Sequence, residues 1–293
     1  MKIQIPEALK EDAPKNSWGK ILTATPVIMT VVSTMLAGLA SSEMTRAQYS
    51  RSLGAQQQAK AGDQWGYFQA KRLRGTLLRS TLDTLQAIST LQPVDPKLLA
   101  SEDVGATAAL LRSETPALPM EIEPAPAIKT AIKWLEAAKP DADIAGLLAT
   151  VTPQSLIDTE RTARERADAF DAATKPVNQA IERLEKALES GTPVARNFTA
   201  ARLRYTATRY DAEARLNQTV AQVIELEVRK SNLLAERHQR RSQKFFFGML
   251  GAQTAVIVST FSLAARARSA LWTFAAAAGL AAVGFAVYVF FYV

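Results

Sequence analysis

The residue types that usually carry enzyme chemistry are scarce in this sequence. Its 293 residues include no cysteine and one histidine, His238, which excludes thiolate nucleophiles and argues against histidine metal clusters. There is no glycine-rich phosphate loop, and the carboxylates are scattered along charged helical faces. The sequence therefore predicts no catalytic residue, no cofactor and no metal site, and it favours a non-enzymatic protein.

One short segment carries side chains that suit an anionic surface. This basic cluster consists of Arg237, Arg240, Arg241 and Lys244, with His238 among them and three phenylalanines, 245–247, directly after them. Basic residues beside an apolar run contact anionic lipid head groups, or anchor the helix by snorkelling. The formal charge of +7 could instead suggest nucleic acid, but the cluster adjoins an apolar run, so nucleic acid is the weaker interpretation.

Three apolar runs in the sequence predict the helices that position this cluster. About 20 apolar residues are needed to cross the hydrocarbon core of a bilayer, and the runs predict transmembrane helices at 21–41, 245–265 and 270–293, after a polar tail at 1–20. The small residues of 38–41 also fit signal-peptide cleavage. A retained anchor is favoured because the first run exceeds the usual signal core. The predicted fold class is an all-α membrane protein.

The polar segment between the runs divides into three parts. Residues 42–91 contain no proline and residues 196–244 contain neither proline nor glycine, which predicts an outgoing and a returning stalk helix. Between them, 92–195 is rich in proline and predicts a head of short helices, with one helix from Thr152–Pro153 to Leu188. We expect an antiparallel helical hairpin with local coiled-coil packing.

Apolar residues at helical spacing predict the faces that pack. On the outgoing helix they are Trp65, Phe68, Leu73, Leu77, Leu78, Leu82, Leu85 and Ile88. On the returning helix they are Tyr205, Ala212, Leu216, Val220, Val223, Leu226 and Leu233, interrupted by Arg209 and Lys230. Such stripes are typical of a buried core.

Small residues recur at four-residue spacing in the last two runs. They are Gly251, Ala255 and Ser259 in one run, and Ala275 and Gly279 in the next. Small faces let helices approach closely in lipid, so these residues are predicted to form a protein interface. No charged residue lies inside either run, which argues against a transport pathway built by this chain alone.

The segment 63–71 reads Asp-Gln-Trp-Gly-Tyr-Phe-Gln-Ala-Lys. Placed after a first span, in a chain with a terminal pair of spans, it resembles the bacterial membrane family catalogued as domain of unknown function 4337. The family pattern is close to Asp-Gln-Trp-Ala-Tyr-Tyr-Gln-Ala-Lys, from which Gly66 and Phe68 depart. The resemblance covers about 20–90 and 200–293, with 92–195 as an insertion. It implies an architecture and a bacterial inner membrane, and no activity.

Three aromatic residues of this segment have two interpretations. Trp65 and Phe68 face one side of the outgoing helix, and Tyr67 faces another. They either lock the two stalk helices in register or form an interface with another subunit, where such residues are common anchors.

The sequence favours a structural or accessory membrane protein that forms a homo-oligomer or docks onto a larger membrane complex. A sensor or channel-like homo-oligomer is the alternative, and a lipid or nucleic-acid binder acting through the basic cluster is weaker. Enzyme activity would need carboxylate or hydroxyl chemistry in the head that the sequence does not reveal. The basic cluster by its own weight favours a cytoplasmic large domain. Basic residues in the tail and in the turn at 266–269 instead favour the cytoplasm for those short segments, so we expect the large domain in the periplasm.

Overall fold

The structure, a computed structural model, describes residues 17–95, 108–110, 112–120, 122–188, 191–264 and 268–292. Its helices include α1 (Ser17–Ile88), α2 (Pro126–Glu136), α3 (Asp141–Thr150), α4 (Pro153–Ala187), α5 (Pro193–Ala264) and α6 (Arg268–Tyr292). Helices dominate the described residues, which include no strand, so the all-α prediction is confirmed. Residues 1–16 of the predicted tail, residues 96–107, 111, 121, 189 and 190 of the predicted head, and residues 266 and 267 of the turn lie outside the described residues.

Three of these helices are long and apolar enough to cross a membrane. They are α1, α5 and α6, judged by length and composition. This agrees with the three predicted spans and with a multi-pass membrane protein. The predicted boundaries at 41/42 and 244/245 fall inside α1 and α5, which continue without a break from the apolar run into the polar segment.

Helix α4 begins and ends where its sequence signals predict. The Thr152 hydroxyl accepts a hydrogen bond from the Ser155 amide at 3.2 Å, and Pro153 occupies the first turn, where its missing N–H costs nothing. The helix stops at Ala187, and Gly191 then adopts φ of +84°, which glycine reaches without strain. The predicted helix from 153 to 188 is therefore present.

The chain divides into two compact units. Unit 1 comprises Met1–Ser52 and Asn232–Val293, and unit 2 comprises Leu53–Ser231. In unit 1 the core joins all three apolar helices: Leu36 and Ala40 of α1, Phe245 and Ala252 of α5, and Ala282 and Val289 of α6. The charge-free runs thus pack against one another within a single chain.

The core of unit 2 follows the predicted stripe of α5. Tyr205, Leu216, Val220, Val223 and Leu226 are all buried. On α1, Leu82 packs with Ala200 and Leu203 of α5, and Leu78 and Leu85 lie beside them, partly buried. One side of the predicted α1 stripe is therefore part of the core.

The other side of that predicted stripe is not buried. Leu73, Leu77 and Ile88 are 71%, 63% and 78% exposed, so their assignment to the core was wrong. Leu82, Leu78 and Leu85 already cover α5, and Leu73 and Leu77 point to a different face of the same helix. Helical spacing placed all these leucines in one stripe that was too wide for a single neighbour.

Polar side chains link α1 and α5 within unit 2. Gln57 bonds to Glu227, Gln64 to Asn217, Lys71 to Glu213, and Arg79 pairs with Asp211. Along these four pairs, the residue number on α5 falls as the residue number on α1 rises. The backbone amide of Gln92 then bonds to the Asn197 side chain at 3.0 Å.

Candidate functional site

The three aromatic residues predicted as an interface point in different directions. Trp65 is half-buried, and its Nε1 donates to Glu225 Oε2 on α5 at 3.3 Å. Phe68 meets the Trp65 ring edge-on, with the ring centroids 5.5 Å apart. Tyr67 is exposed, and the Lys71 ammonium lies 4.9 Å from its ring centroid. The structure therefore brings Trp65 to α5, whereas Tyr67 faces outward.

A buried charged cluster lies one to two turns beyond Trp65. Glu213 of α5 is buried, and its carboxylate accepts from Lys71 Nζ at 2.5 Å and lies 3.4 Å from Arg209 Nε. Burial by itself lowers the pKa of Lys71, but the hydrogen bonds to Glu213 and Tyr67 outweigh it and raise the pKa overall. Burial also raises the pKa of the nearby Tyr205 phenol to about 12. Arg209 is tolerated within the apolar stripe because the Glu213 carboxylate neutralises its charge.

A second buried carboxyl group belongs to Glu227, which is 6% exposed. Gln57 Nε2 donates to Glu227 Oε2 at 3.0 Å, and Ser231 Oγ donates to Gln57 Oε1 at 2.6 Å. No described residue bonds to Glu227 Oε1. Burial, with a smaller contribution from the Glu160 carboxylate, raises the pKa of Glu227 to about 7, against the opposing effects of Gln57, Lys60 and Arg164.

The face of α1 that carries Leu73 and Leu77 continues along the helix. Residues 73, 77, 81, 84 and 88 follow one another by four, four, three and four positions, which keeps them on one side. We call them the α1 face: Leu73, Leu77, Thr81, Thr84 and Ile88. The Thr81 hydroxyl bonds to the Leu77 carbonyl of the same helix at 2.9 Å, so that the group is satisfied locally. The sequence contained this face, but it was assigned to the core.

The small residues of the predicted spans are covered inside unit 1. Ala255, Ser259 and Ala275 are fully buried. A Cβ atom added to Gly251 would lie 3.5 Å from Ala282 Cβ, and one added to Gly279 would lie 2.5 Å from Met29 Sδ. These residues therefore contact helices of their own chain, and their role between chains stays a prediction.

The basic cluster separates into inward and outward side chains. Inward, His238 Nδ1 lies 2.6 Å from Glu43 Oε2, and Arg241 lies 3.8 Å from the same carboxylate and donates to the Phe290 carbonyl at 3.0 Å. Lys244 lies 5.8 Å from the Tyr288 ring centroid. Glu43 is buried, and sequence reasoning missed it because it is an isolated acid on α1.

The outward side chains of the cluster are Arg237 and Arg240. Both are exposed, and Arg240 pairs with Glu236 at 3.1 Å on the surface. Of the four predicted lipid contacts, these two are exposed, whereas Arg241 and Lys244 are half-buried. Over the ranges the structure describes, no three acidic or histidine side chains gather in a way that could hold a metal ion.

The comparisons with known proteins place part of this architecture in a family. A family model described as "Domain of unknown function (DUF4337)" matches residues 18–181, more than half of the chain. The match runs through most of 92–195, which we expected to be an insertion, and it stops before 200–293, which we expected to be covered. No curated protein and no solved structure matches the chain.

Proposed function

Because the chain belongs to the DUF4337 family, whose description states no activity, we propose its function from its own surfaces. We propose a non-enzymatic structural or accessory membrane protein that forms a homo-oligomer or docks onto a larger membrane complex. Its setting is the bacterial inner membrane. The α1 face is the surface that makes the contact.

The proposal includes an antiparallel helical hairpin. The polar contacts between α1 and α5 support it, because partner numbers fall along one helix as they rise along the other. The short helices α2 and α3 and the longer α4 lie in sequence between the two arms, as a proline-rich head would. In this arrangement Trp65 and Phe68 hold the arms in register, and Tyr67 remains available to a partner.

The observation that carries the proposal is the exposure of the α1 face. Single exposed leucines are common on soluble surfaces, but several large apolar side chains exposed on one side of a helix mark a contact site. Leu73, Leu77 and Ile88 are large and exposed, and two threonines between them bond their hydroxyls to their own helix. The stripe has the three- and four-residue spacing that helices use to pack on one another.

Two glycines extend the same side of α1 toward its beginning. A Cβ atom added to Gly62 or Gly66 would meet nothing within 4 Å, so the space beside the backbone is open. A neighbouring helix could approach closely there, and then meet Leu73 and Leu77 further along. The exposed side of α1 thus offers small residues first and large apolar residues after them.

The test is the mass and composition of the particle that mild detergent extracts from membranes. We expect a homo-oligomer, or a complex with stoichiometric foreign subunits, in which the double variant Leu73→Asp/Leu77→Asp separates into single chains. The helical content by circular dichroism should stay unchanged, because both side chains are exposed. Light scattering gives the mass, and mass spectrometry identifies the subunits.

The matched control is Ile157→Asp on α4, since Ile157 is also a large exposed apolar residue of unit 2. This variant should assemble as the natural chain does. A natural chain that is extracted as a monomer without foreign subunits would contradict the proposal, and so would a double variant that still assembles. A closed homo-oligomer with conductance would favour the channel-like alternative.

A further inference from the structure

Unit 1 has an apolar groove between α1 and α5 near the basic cluster. Ala37, Ala40 and Met44 line it on α1, and Phe246, Phe247 and Met249 line it on α5. Its volume is about 700 Å³, within the range of pockets that hold small ligands. Phe247 is 64% exposed at the rim, so the groove is open to the surroundings.

Small residues on α1 make room for this groove. At its floor the two helices are close, because the Ser242 hydroxyl donates to the Ala40 carbonyl at 2.7 Å. The methyl groups of Ala37 and Ala40 do not fill the space that the larger side chains of α5 enclose. The groove is therefore a largely apolar slot with large side chains on its rim.

A cation lies in line with the groove along α1. Arg51 follows Met44 by seven residues, which puts it on the same face about 10 Å further along the helix. Its guanidinium donates to the Gln239 side chain, which is one turn before Gln243 on the α5 wall. Within the described residues, no carboxylate forms an ion pair with Arg51.

Arg240 adds a second cation at the side of this end. It precedes Gln243 and Phe247 by three and seven residues, so it shares their side of α5. Its partner Glu236 is exposed, and an exposed ion pair of this kind is weak and leaves the guanidinium accessible. The groove thus has an apolar body and a positively charged end.

We propose that this groove binds an anionic phospholipid, with one acyl chain in the apolar slot and the phosphate against Arg51. Charge complementarity selects this occupant over a second copy of the chain, since a second copy would bring Arg51 and Arg240 of its own toward the same positive end. A guanidinium binds phosphate through two parallel hydrogen bonds, which suits Arg51 with one of its donors already oriented by Gln239. The assembly proposed for the α1 face does not depend on this site.

The experiment measures lipids bound to the full chain in mild detergent by native mass spectrometry. Phosphatidylglycerol and phosphatidylcholine with identical acyl chains are titrated in parallel. We expect one phosphatidylglycerol per chain, bound more tightly than phosphatidylcholine. Arg51→Gln should reduce that preference about fivefold, and Arg51→Gln/Arg240→Gln by roughly 25-fold, as expected for the loss of one and two basic contacts.

Two further variants separate the groove from a general effect of charge. Ser41→Leu, an exposed position that lines the groove, narrows the slot and should weaken the binding of both lipids. Arg72→Gln removes an exposed arginine of unit 2 on the same helix and should change neither affinity. The thermal unfolding of each variant is recorded, so that loss of lipid is compared only among folded proteins.

Three results would overturn the proposal. Equal affinity of the natural chain for both lipids would mean that only the apolar surface binds them. An unchanged preference in Arg51→Gln would remove the role of the cation. Efficient disulfide crosslinking of two chains through Ser41→Cys, with no lipid retained, would assign the groove to a second copy.

Discussion

The ionisation of Glu227 is linked to folding. Its carboxyl group is buried, and only Oε2 has a partner among the described residues, so the charged form is poorly solvated. Burial raises its pKa from 4.5 to about 7. The folded state therefore binds a proton that the unfolded state releases between these two values, and the free energy of unfolding falls as pH rises through this window.

We predict that Glu227→Gln removes this pH dependence. The neutral amide keeps the size of the side chain, so at pH 8 the variant should be more stable than the natural chain by up to about 3 kcal/mol. Near pH 4.5 the two should be alike. The measurement is chemical unfolding of the detergent-solubilised chain at pH 5 and pH 8, followed by circular dichroism.

The matched control for this prediction is Glu165→Gln on α4, because the Glu165 side chain is largely exposed. That variant should follow the pH dependence of the natural chain. If Glu227→Gln differs from the natural chain by the same amount at both pH values, burial does not control the ionisation of Glu227.

Glu213 differs from Glu227 because its carboxylate forms ion pairs and neutralises two cations at once. Replacement by Gln removes the negative charge that Lys71 and Arg209 share, and it leaves both cations partly buried. We expect Glu213→Gln to lower the free energy of unfolding by about 3 kcal/mol, because breaking a buried ion pair leaves a charge uncompensated. Urea titration of the purified chain measures this change.

An exposed ion pair supplies the comparison. Glu185 pairs with Arg202 at the surface of unit 2, where water screens both charges. Glu185→Gln should change stability by less than about 1 kcal/mol. Equal losses in the two variants would show that burial of Glu213 contributes nothing.

At the scale of helices, two glycines of α6 give a matched test of packing in unit 1. A Cβ atom added to Gly279 would lie 2.5 Å from Met29 Sδ, whereas one added to Gly284 would meet nothing within 4 Å. We predict that Gly279→Val lowers stability by about 1–3 kcal/mol, the usual cost of overpacking. Gly284→Val should leave it nearly unchanged.

Thermal unfolding in detergent measures both glycine variants. Met29 is flexible and can move aside in part, so the smaller Gly279→Ala should cost less than Gly279→Val. If both Val variants unfold at the same temperature, α6 does not pack against Met29. The predicted contact of Gly279 with another chain would then regain support.

The helices show what a single sequence predicts about this fold. Thr152 and Pro153 predicted the start of α4 because capping is a local property of consecutive residues. The burial of Leu73 and Leu77 was predicted wrongly, because it depends on which side of α1 meets α5, and that is decided by partners more than 100 residues away. Periodicity tells which residues share a face, but it does not tell whether anything covers that face.

The same reasoning explains why the partners of two polar residues were not predicted. Arg209 and Lys230 interrupt the apolar stripe of α5 in the sequence. Arg209 meets Glu213 one turn along its own helix, and Lys230 donates to the Leu148 carbonyl at 2.8 Å. The carbonyl of Leu148, which also accepts from the Val151 amide at 3.2 Å, lies close to the end of α3 at Thr150, and no local pattern around Lys230 reveals this acceptor.

At the scale of the whole molecule, the number of spans decides which segments of the chain lie on the same side of the membrane. Three candidate spans put the turn between α5 and α6 on the opposite side from the polar segment and from the end of α6. Positive charges in short loops favour the cytoplasm, and the tail and the turn at 266–269 carry them. We therefore expect the turn in the cytoplasm and the polar segment outside it.

Single cysteines test this orientation without background, because the natural chain has none. Met120→Cys places a thiol at a position that is 92% exposed in unit 2, and Ser269→Cys places one at the start of α6, next to the turn. In right-side-out vesicles a membrane-impermeant maleimide should label Met120→Cys at once and Ser269→Cys only after permeabilisation. The reverse pattern would invert the orientation but keep three spans. Labelling of both positions from the same side would mean that an even number of spans separates them. The assignment of α5 as a membrane span between positions 120 and 269 would then be wrong.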